Sequence, residues 1–199
     1  FYTTVLELLN GKKNDVSKEN ANKDPRQFFT MRDLVAGETC KKLYKDFVMD
    51  KKLLKLHNKG VVHVHDLDYR AMKAMTNCCL LNLKDMLENG TCIQGKLIHD
   101  IHSLQVAVTV TTQIIAAVGS SQYGGITINM SHLSPFVAKS KEKYEKIFST
   151  LNDKDEWVEK FLRKEIVDSM QTFQYQLNSL TTTNGQSPFI TVACNTNDV

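Results

Sequence analysis

Residues 99–119, HDIHSLQVAVTVTTQIIAAVG, contain the longest weakly polar run of the sequence, Leu104 to Val118, and are the main guide to its fold. Their apolar residues recur at helical spacing, although the segment VAVTVTT also alternates as a strand does. The length of the run favours a helix, because most strands are much shorter. The weakly polar run Leu104 to Val118 is too short and too rich in Thr and Gln to span a bilayer. We therefore predict a helix over 99–119.

On both sides of this run, apolar periodicity and Gly or Pro punctuation predict further helices separated by short strands. The predicted helices are 1–13, 28–49 (one helix, or two broken near Gly37), 51–58, 84–90, 134–148 with a serine cap, and 155–180. The predicted strands are 61–65, 76–83, 126–128 and one entered from the turn at 187–188, with a turn at 122–125 and loops at 14–27 and 181–188. The predicted fold class is therefore α/β with a large helical share.

Composition narrows the class of protein. The 199 residues are 42% hydrophobic and 24% charged, which is typical of one globular domain or of part of a larger one. The net charge of +3 suits a small anionic ligand and does not require nucleic acid or a membrane as partner. An odd count of five cysteines, without a CxxC pair or a secretory segment, favours reduced thiols in the cytoplasm and gives no sign of a zinc site.

The sequence HVHDLD at 63–68 carries two histidines and two aspartates at the end of the predicted strand 61–65. Strand alternation would put His63 and His65 on one face, where they could bind a divalent metal or a polar substrate. The same side chains could instead tie the strand end to neighbouring helices. The pattern favours a substrate-binding or structural polar network over a metal site.

Adjacent cysteines at 78 and 79 follow Asn77 in the second predicted strand. In a strand the two thiols face opposite ways, so at most one of them can face a given pocket. A disulfide between neighbours is strained, and free cysteine is frequently a small core residue. Two glycine turns, at 123–125 and at 183–188 with Asn184 and Gln186, could donate hydrogen bonds to a phosphate or serve as plain turns.

Taken together, the motifs resemble those of the anaerobic (class III, glycyl-radical) ribonucleoside-triphosphate reductases. The resemblance extends in the family's order over nearly the whole chain. The motifs are NDVSKENANKD (14–24), HVHDLDY (63–69), NCCLLNLKDMLENGT (77–91), QYGGITIN (122–129), LSPFV (133–137) and NSLTTTNGQSPFITV (178–192).

The resemblance implies a fold and a reaction. The family's catalytic domain is a ten-stranded α/β barrel, and the chain would be a single partial domain, 1–199, from its N-terminal part. The family replaces the ribose 2′-hydroxyl of a ribonucleoside triphosphate with hydrogen by radical chemistry. A cysteine on the first barrel strand takes part, and the matching residue is Cys78, whereas Cys79 is expected to pack. His63, His65, Asn77, Asn184 and Gln186 are the substrate-binding candidates, and no metal is expected to bind this sequence.

The resemblance also implies partners. The family forms homodimers through long helices of the first half-barrel, and deoxynucleotide effectors bind at that interface, while ATP is a further effector. The helix predicted at 99–119 is our candidate for that surface, with ordinary intrachain core as the alternative. Its candidate residues are His99, His102, Gln105, Thr109 and Gln113.

Other parts of the family's machinery would lie outside the sequence. They are an ATP-binding cone before residue 1 and, after residue 199, the finger-loop cysteine, the glycyl-radical segment and a structural zinc site. A radical-SAM activase installs the glycyl radical, and formate or a dithiol protein is the reductant. We therefore expect the chain alone to be inactive, and to fold incompletely or associate, because part of a barrel exposes strand edges.

Two other functions fit the residues. The first is a metal-dependent hydrolase of the amidohydrolase type that uses His63 and His65, a chemistry that needs further ligands on later strands. The second is a nucleotide-sensing dimerisation module without turnover.

Overall fold

The computed structural model describes residues 1–12, 27–73, 76–121, 123–180 and 188–194. Within them the chain is α/β and rich in helix, as predicted. Its helices are α1 (Tyr2–Leu9), α2 (Phe28–Leu43), α3 (Lys51–Asn58), α4 (Leu67–Arg70), α5 (Leu83–Glu88), α6 (Leu104–Gly119), α7 (Ser134–Ile147) and α8 (Lys154–Ser179). Its strands are β1 (Thr76–Leu80), β2 (Thr91–Ile93), β3 (Lys96–Ile98), β4 (Tyr123–Asn129) and β5 (Phe189–Ala193).

The chain divides into two compact units, one of which ends at Asn77 and the other of which begins at Cys78. The predicted loop at 14–27 lies almost wholly outside the described residues, as do Gln122 and residues 181–187 of the second predicted loop. Among the described residues, no helix is both long enough and apolar enough to cross a bilayer.

The first unit is helical. Helix α2 runs through Gly37 without a break, which confirms the single-helix alternative. Gly37 is needed for close packing rather than for a bend, since a Cβ there would stand 3.3 Å from the Cβ of Asp68. The helix loosens only at Tyr44, where the N–H of Met49 donates to the Tyr44 carbonyl and closes a π-helical turn. Asp50 then caps α3 by accepting from two backbone N–H groups.

The strand predicted at 61–65 is wrong. The chain leaves α3 through Gly60, at a φ of +72°, and continues as irregular backbone to Asp66. The N–H of Val64 donates to His57 Nδ1 at 3.2 Å, so a side chain takes the place of a strand partner. β-branched residues favour a strand only where a neighbouring strand offers its hydrogen bonds.

The second unit is built on a three-stranded sheet of order β1-β4-β5, in which β4 and β5 are parallel. The register pairs Gly125 with Phe189 and Asn129 with Ala193. Helix α6 packs against β4 and α8, and eight of its sixteen residues are buried. Its threonines fit a buried helix because Thr111 Oγ1 donates to the Ala107 carbonyl at 2.8 Å, within the helix itself. The alternating VTVTT segment is therefore helical, as its length predicted.

Helix α6 begins at Leu104 and not at His99. Asp100 has a φ of +57°, which stops a helix, and Ser103 is the N-cap. Side chains from distant helices accept from the first N–H groups: Leu104 N donates to Ser140 Oγ at 2.9 Å and Gln105 N to Glu165 Oε1 at 3.4 Å. The helix starts where these acceptors are placed.

Three local predictions also need correction. Residues 123–125 are not a turn but the beginning of β4, although the predicted core strand 126–128 is confirmed inside it. The N-cap of α7 is Leu133, and Ser134 is its first helical residue. The antiparallel hairpin β2–β3 was not predicted; its two-residue turn, Gln94-Gly95, has φ values of +51° and +79°.

Candidate active site on the open face of the sheet

Residues of the three-stranded sheet alternate between two faces that differ in burial. On one face Ile126 and Ile128 of β4 are 2% and 0% exposed, and helices cover them. Cys79 and Ile190 pack against the same core from β1 and β5. The residues between them project from the opposite face, called here the open face. The open face carries Cys78 and Leu80 of β1, Gly125, Thr127 and Asn129 of β4, and Phe189, Thr191 and Ala193 of β5.

The two adjacent thiols therefore have different surroundings. Cys78 is exposed on the open face, whereas Cys79 is half-buried against the core. Burial raises the pKa of the Cys79 thiol above its ordinary value, and the neighbouring Cys78 raises it further. Cys79 is thus a protonated packing residue at neutral pH, as predicted from its position, and Cys78 is the thiol available for chemistry.

A pocket of about 440 Å³ opens at the ends of the strands. Three strands each contribute their last residue, namely Leu80, Asn129 and Ala193, and His132 and Cys194 complete the lining. The carboxyl ends of parallel strands are where α/β proteins build their sites. Because Cys78 stands two residues before Leu80, its side chain projects from the same face of β1 as a residue that lines this pocket.

Cys194 lines the pocket but is not placed to pair with Cys78. The two residues belong to β1 and to the end of β5, which lie on opposite sides of β4. Two strand spacings amount to about 9–10 Å, more than a disulfide can bridge.

The histidines of 63–68 lie in the first unit, on the irregular segment before α4. The rings of His63 and His65 are 5.4 Å apart, and the ring of His57 lies 5.6 Å from that of His63. His65 Nδ1 lies 2.8 Å from Asp66 Oδ1, and Asp66 adopts a left-handed φ of +53°. Across the described residues, no three His, Cys, Asp or Glu side chains are arranged to hold a metal ion.

The candidates of the 99–119 run separate into two groups. His99 and His102 precede α6, and His99 Nδ1 lies 2.6 Å from Asp100 Oδ2. Gln105, Thr109 and Gln113 lie on α6 at intervals of four residues, so they share one side of the helix. Both glutamines are exposed there, opposite the buried side. Asn77 is exposed in β1, and Asn184 and Gln186 lie outside the described residues.

A family model for the anaerobic ribonucleoside-triphosphate reductase matches residues 19–198. The chain belongs to the anaerobic ribonucleoside-triphosphate reductase family. Among curated relatives of that name, the protein of Enterobacteria phage T4 is 38% identical over 95% of this chain and 32% of its own length. The protein of Haemophilus influenzae is 40% identical over 94% of this chain and 26% of its own length. The protein of Escherichia coli K12 is 40% identical over 87% of this chain.

The chain therefore spans about a quarter to a third of the length of these reductases. The strand on which the amidohydrolase-type alternative would place His63 and His65 does not form, since residues 61–65 are irregular. Among the described residues, the three-stranded sheet combines an exposed thiol, Cys78, with a pocket at its strand ends.

Asn129 and His132 line the pocket and are not among the site residues predicted from the sequence. They follow the apolar strand residues 126–128 directly, and polar residues after a buried strand are the signal that was applied to 61–68. Residues 61–65 form no strand, whereas 126–128 do, so the same signal marks a strand end only at Asn129.

Proposed function

We propose that the chain forms part of the catalytic domain of an enzyme that reduces ribonucleoside triphosphates to 2′-deoxyribonucleoside triphosphates for DNA synthesis. The observation that carries the proposal is the position of Cys78. This residue is exposed on the open face of the three-stranded sheet, and a pocket lies nearby at the strand ends. Family membership supports the same reaction, because the relatives are named for it. In this proposal β1, β4 and β5 are strands of a ten-stranded barrel, and the open face is its interior.

The chemistry assigned to Cys78 is hydrogen transfer to a substrate radical. Overall, the ribose 2′-hydroxyl leaves as water and hydrogen takes its place. The two electrons come from formate, which is oxidised to carbon dioxide, or from a dithiol protein, which is oxidised to a disulfide. A thiol suits this role because its S–H hydrogen is easily transferred. Cys79 cannot substitute for Cys78, since its side chain packs on the other face.

The rest of the machinery is proposed from family membership. It comprises a glycyl radical installed by a radical-SAM activase, a structural zinc near the C-terminus and an ATP cone. It is expected to work in the cytoplasm as a homodimer. Of the substrate-binding candidates, Asn77 lies directly before Cys78 in β1, while His63 and His65 remain candidates on the first unit.

An effector-binding or dimer surface is proposed on the exposed side of α6. Gln105, Thr109 and Gln113 form a polar line there, and Val106 beside it is 47% exposed. Amide side chains can accept and donate hydrogen bonds to a base or to a partner helix. His99 and His102 extend the candidate surface beyond the helix start.

The test compares the two neighbouring thiols in the full-length protein, activated without oxygen. Deoxynucleotide formation from CTP is measured for wild type, Cys78→Ser and Cys79→Ala. We expect Cys78→Ser to lose at least about a thousandfold in kcat, because serine does not transfer its hydrogen atom as a thiol does. Cys79→Ala removes only a half-buried packing thiol, so its kcat should stay within about threefold of wild type.

Each alternative has a distinct result. Equal loss in both variants would remove the assignment of Cys78, since a folding defect would explain it. Full turnover in Cys78→Ser would keep the reductase and reject the thiol. Absence of deoxynucleotide from an activated wild type that still binds deoxynucleotides and dimerises would favour the sensing module.

A further inference from the structure

His132 is held at the strand-end pocket by a short 3-10 helix, Met130–Leu133, that directly follows β4. Leu133, the next residue, is 3% exposed and belongs to the core cluster, so the position of the turn is fixed by packing. His132 lines the pocket together with Asn129 and Cys194. The imidazole is therefore presented by a rigid element and not by a loop tip.

The Nδ1 atom of His132 is buried and has no hydrogen-bond partner among the described residues. Removing a polar atom from water without a partner costs about 1–3 kcal/mol, so such atoms are rare in folded proteins. Thr30 Oγ1 and Ser169 Oγ share this condition, but neither lines the pocket. His132 thus has an unpaired buried nitrogen and also lines a cavity.

Asn129 supplies a complementary group at the same pocket. Its Oδ1 accepts from the Ser131 N–H at 3.1 Å, a bond that caps the 3-10 helix and fixes how the amide is turned. The group that Asn129 can offer a ligand is therefore its Nδ2 donor. A neutral imidazole offers an acceptor nitrogen, so the pair presents one donor and one acceptor.

A hydroxyl group matches this pair, because it accepts one hydrogen bond and donates another. The remaining lining, Leu80, Ala193 and Cys194, is weakly polar, so Asn129 and His132 supply the polar groups of the pocket. A volume of about 440 Å³ falls in the range of small-molecule pockets and admits a pentose ring.

We propose that His132 Nδ1 and the Asn129 amide bind a ribose hydroxyl of the nucleotide substrate, so that His132 is a substrate-binding residue. The proposal rests on the proposed function for the identity of the sugar. It adds to that function a specific polar contact on the strand that neighbours Cys78. It also explains why an imidazole nitrogen is left unpaired at this place in the fold.

The test uses substitutions that distinguish the two ring nitrogens. Asparagine places a polar atom near the position of Nδ1, whereas glutamine reaches the position of Nε2. In the full-length protein, activated without oxygen, we expect His132→Phe and His132→Gln to raise KM for CTP by about 10- to 100-fold, the effect of an unmade buried hydrogen bond. His132→Asn should stay within about threefold of wild type. Lys141→Gln, on the exposed side of α7, is the control and should leave KM unchanged.

A binding measurement separates this proposal from the reductase proposal. Equilibrium binding compares CTP with 2′,3′-dideoxy-CTP, which lacks both ribose hydroxyls. Wild type should prefer CTP by about tenfold or more, and His132→Phe should lose that preference. This result supports the proposal even if wild type forms no deoxynucleotide, an outcome that would overturn only the proposed function.

Three outcomes would overturn the proposal. One is rescue by glutamine and not by asparagine, which would move the contact to Nε2. Another is an unchanged preference for CTP in His132→Phe, which would leave the hydroxyls bound elsewhere. The third is a loss of melting temperature shared by all three His132 variants with no change in KM, which would make the residue structural.

Discussion

The two faces of the three-stranded sheet share the same strands and serve opposite purposes. The covered face is isoleucine-rich and most tightly packed at β4, where Ile126 and Ile128 are 2% and 0% exposed. The open face carries a thiol, hydroxyls and an amide, and it ends in a pocket. Because neighbouring residues point to opposite faces, one strand holds the core with every second side chain and offers chemistry with the others. Cys78 and Cys79 show this difference most clearly, because Cys78 is exposed on the open face and Cys79 packs against the core.

Stability should depend on the covered face far more than on the open one. Ile128→Ala leaves a cavity under the helices and should cost about 3 kcal/mol, whereas Thr127→Ala on the open face should cost under about 0.5 kcal/mol. Hydrogen exchange of peptides that contain β4, in the full-length protein, measures the loss of stability in each of the two variants. We expect protection to fall about a hundredfold for Ile128→Ala only; similar losses in the two variants would mean that the open face is also packed.

The buried carboxylate behind the covered face should give a smaller, pH-dependent effect. Glu165 accepts from Ser140 Oγ and Lys143 Nζ, both at 2.8 Å, and from the backbone N–H of Gln105. Burial alone would raise the pKa of Glu165, but hydrogen bonds from Lys143, Tyr144, Ser140 and Gln105 lower it below its ordinary value. We expect Glu165→Gln to cost about 1–2 kcal/mol at neutral pH, read as faster exchange at the start of α6.

The direction of the pH dependence follows from the lowered pKa of Glu165. The stability that Glu165 contributes is complete above its ordinary pKa of 4.5, and it is lost as the pH falls from there through the lowered value. The protection factor at 100–110, which is corrected for the intrinsic exchange rate at each pH, should therefore fall in acid for wild type and change less for Glu165→Gln. Glu159→Gln, an exposed change on the same helix, is the control. If Glu165→Gln loses as much protection in acid as wild type does, other titratable groups cause the acid response.

The smallest effect expected is a difference in thiol reactivity between the faces. Without activation, iodoacetamide should modify Cys78 at least about tenfold faster than Cys79, because Cys79 is half-buried and its pKa is raised. Fragmentation of the labelled peptide distinguishes the two positions, and Cys92, exposed on the β2–β3 hairpin, is the reference thiol. CTP should slow the labelling of Cys78, and also that of Cys194 at the pocket, but not that of Cys92. Equal rates at Cys78 and Cys79 would contradict the assignment of the faces.

Prediction from sequence succeeded where local signals agree with the final structure. The helices at 51–58 and 155–180 have their own caps or a long apolar period, and both are found within a residue of their predicted bounds. The strand at 61–65 failed because its valines had no partner strand. Thr76–Leu80 has only one β-branched residue and nevertheless forms a strand, since β4 lies beside it. A pattern states a preference, and the neighbour decides whether it is realised.

The sequence by itself determined the α/β class, the buried helix of the second unit, the opposite orientations of Cys78 and Cys79, and the family. These features depend on periods of two and 3.6 residues and on motifs read in order along the chain. Only the tertiary structure decided that α6 begins at Leu104, because Ser140 and Glu165 reach it from 36 and 60 residues away. It alone brought the ends of β1, β4 and β5 together around His132. Contacts between residues so distant in the chain leave no trace in any short window of sequence.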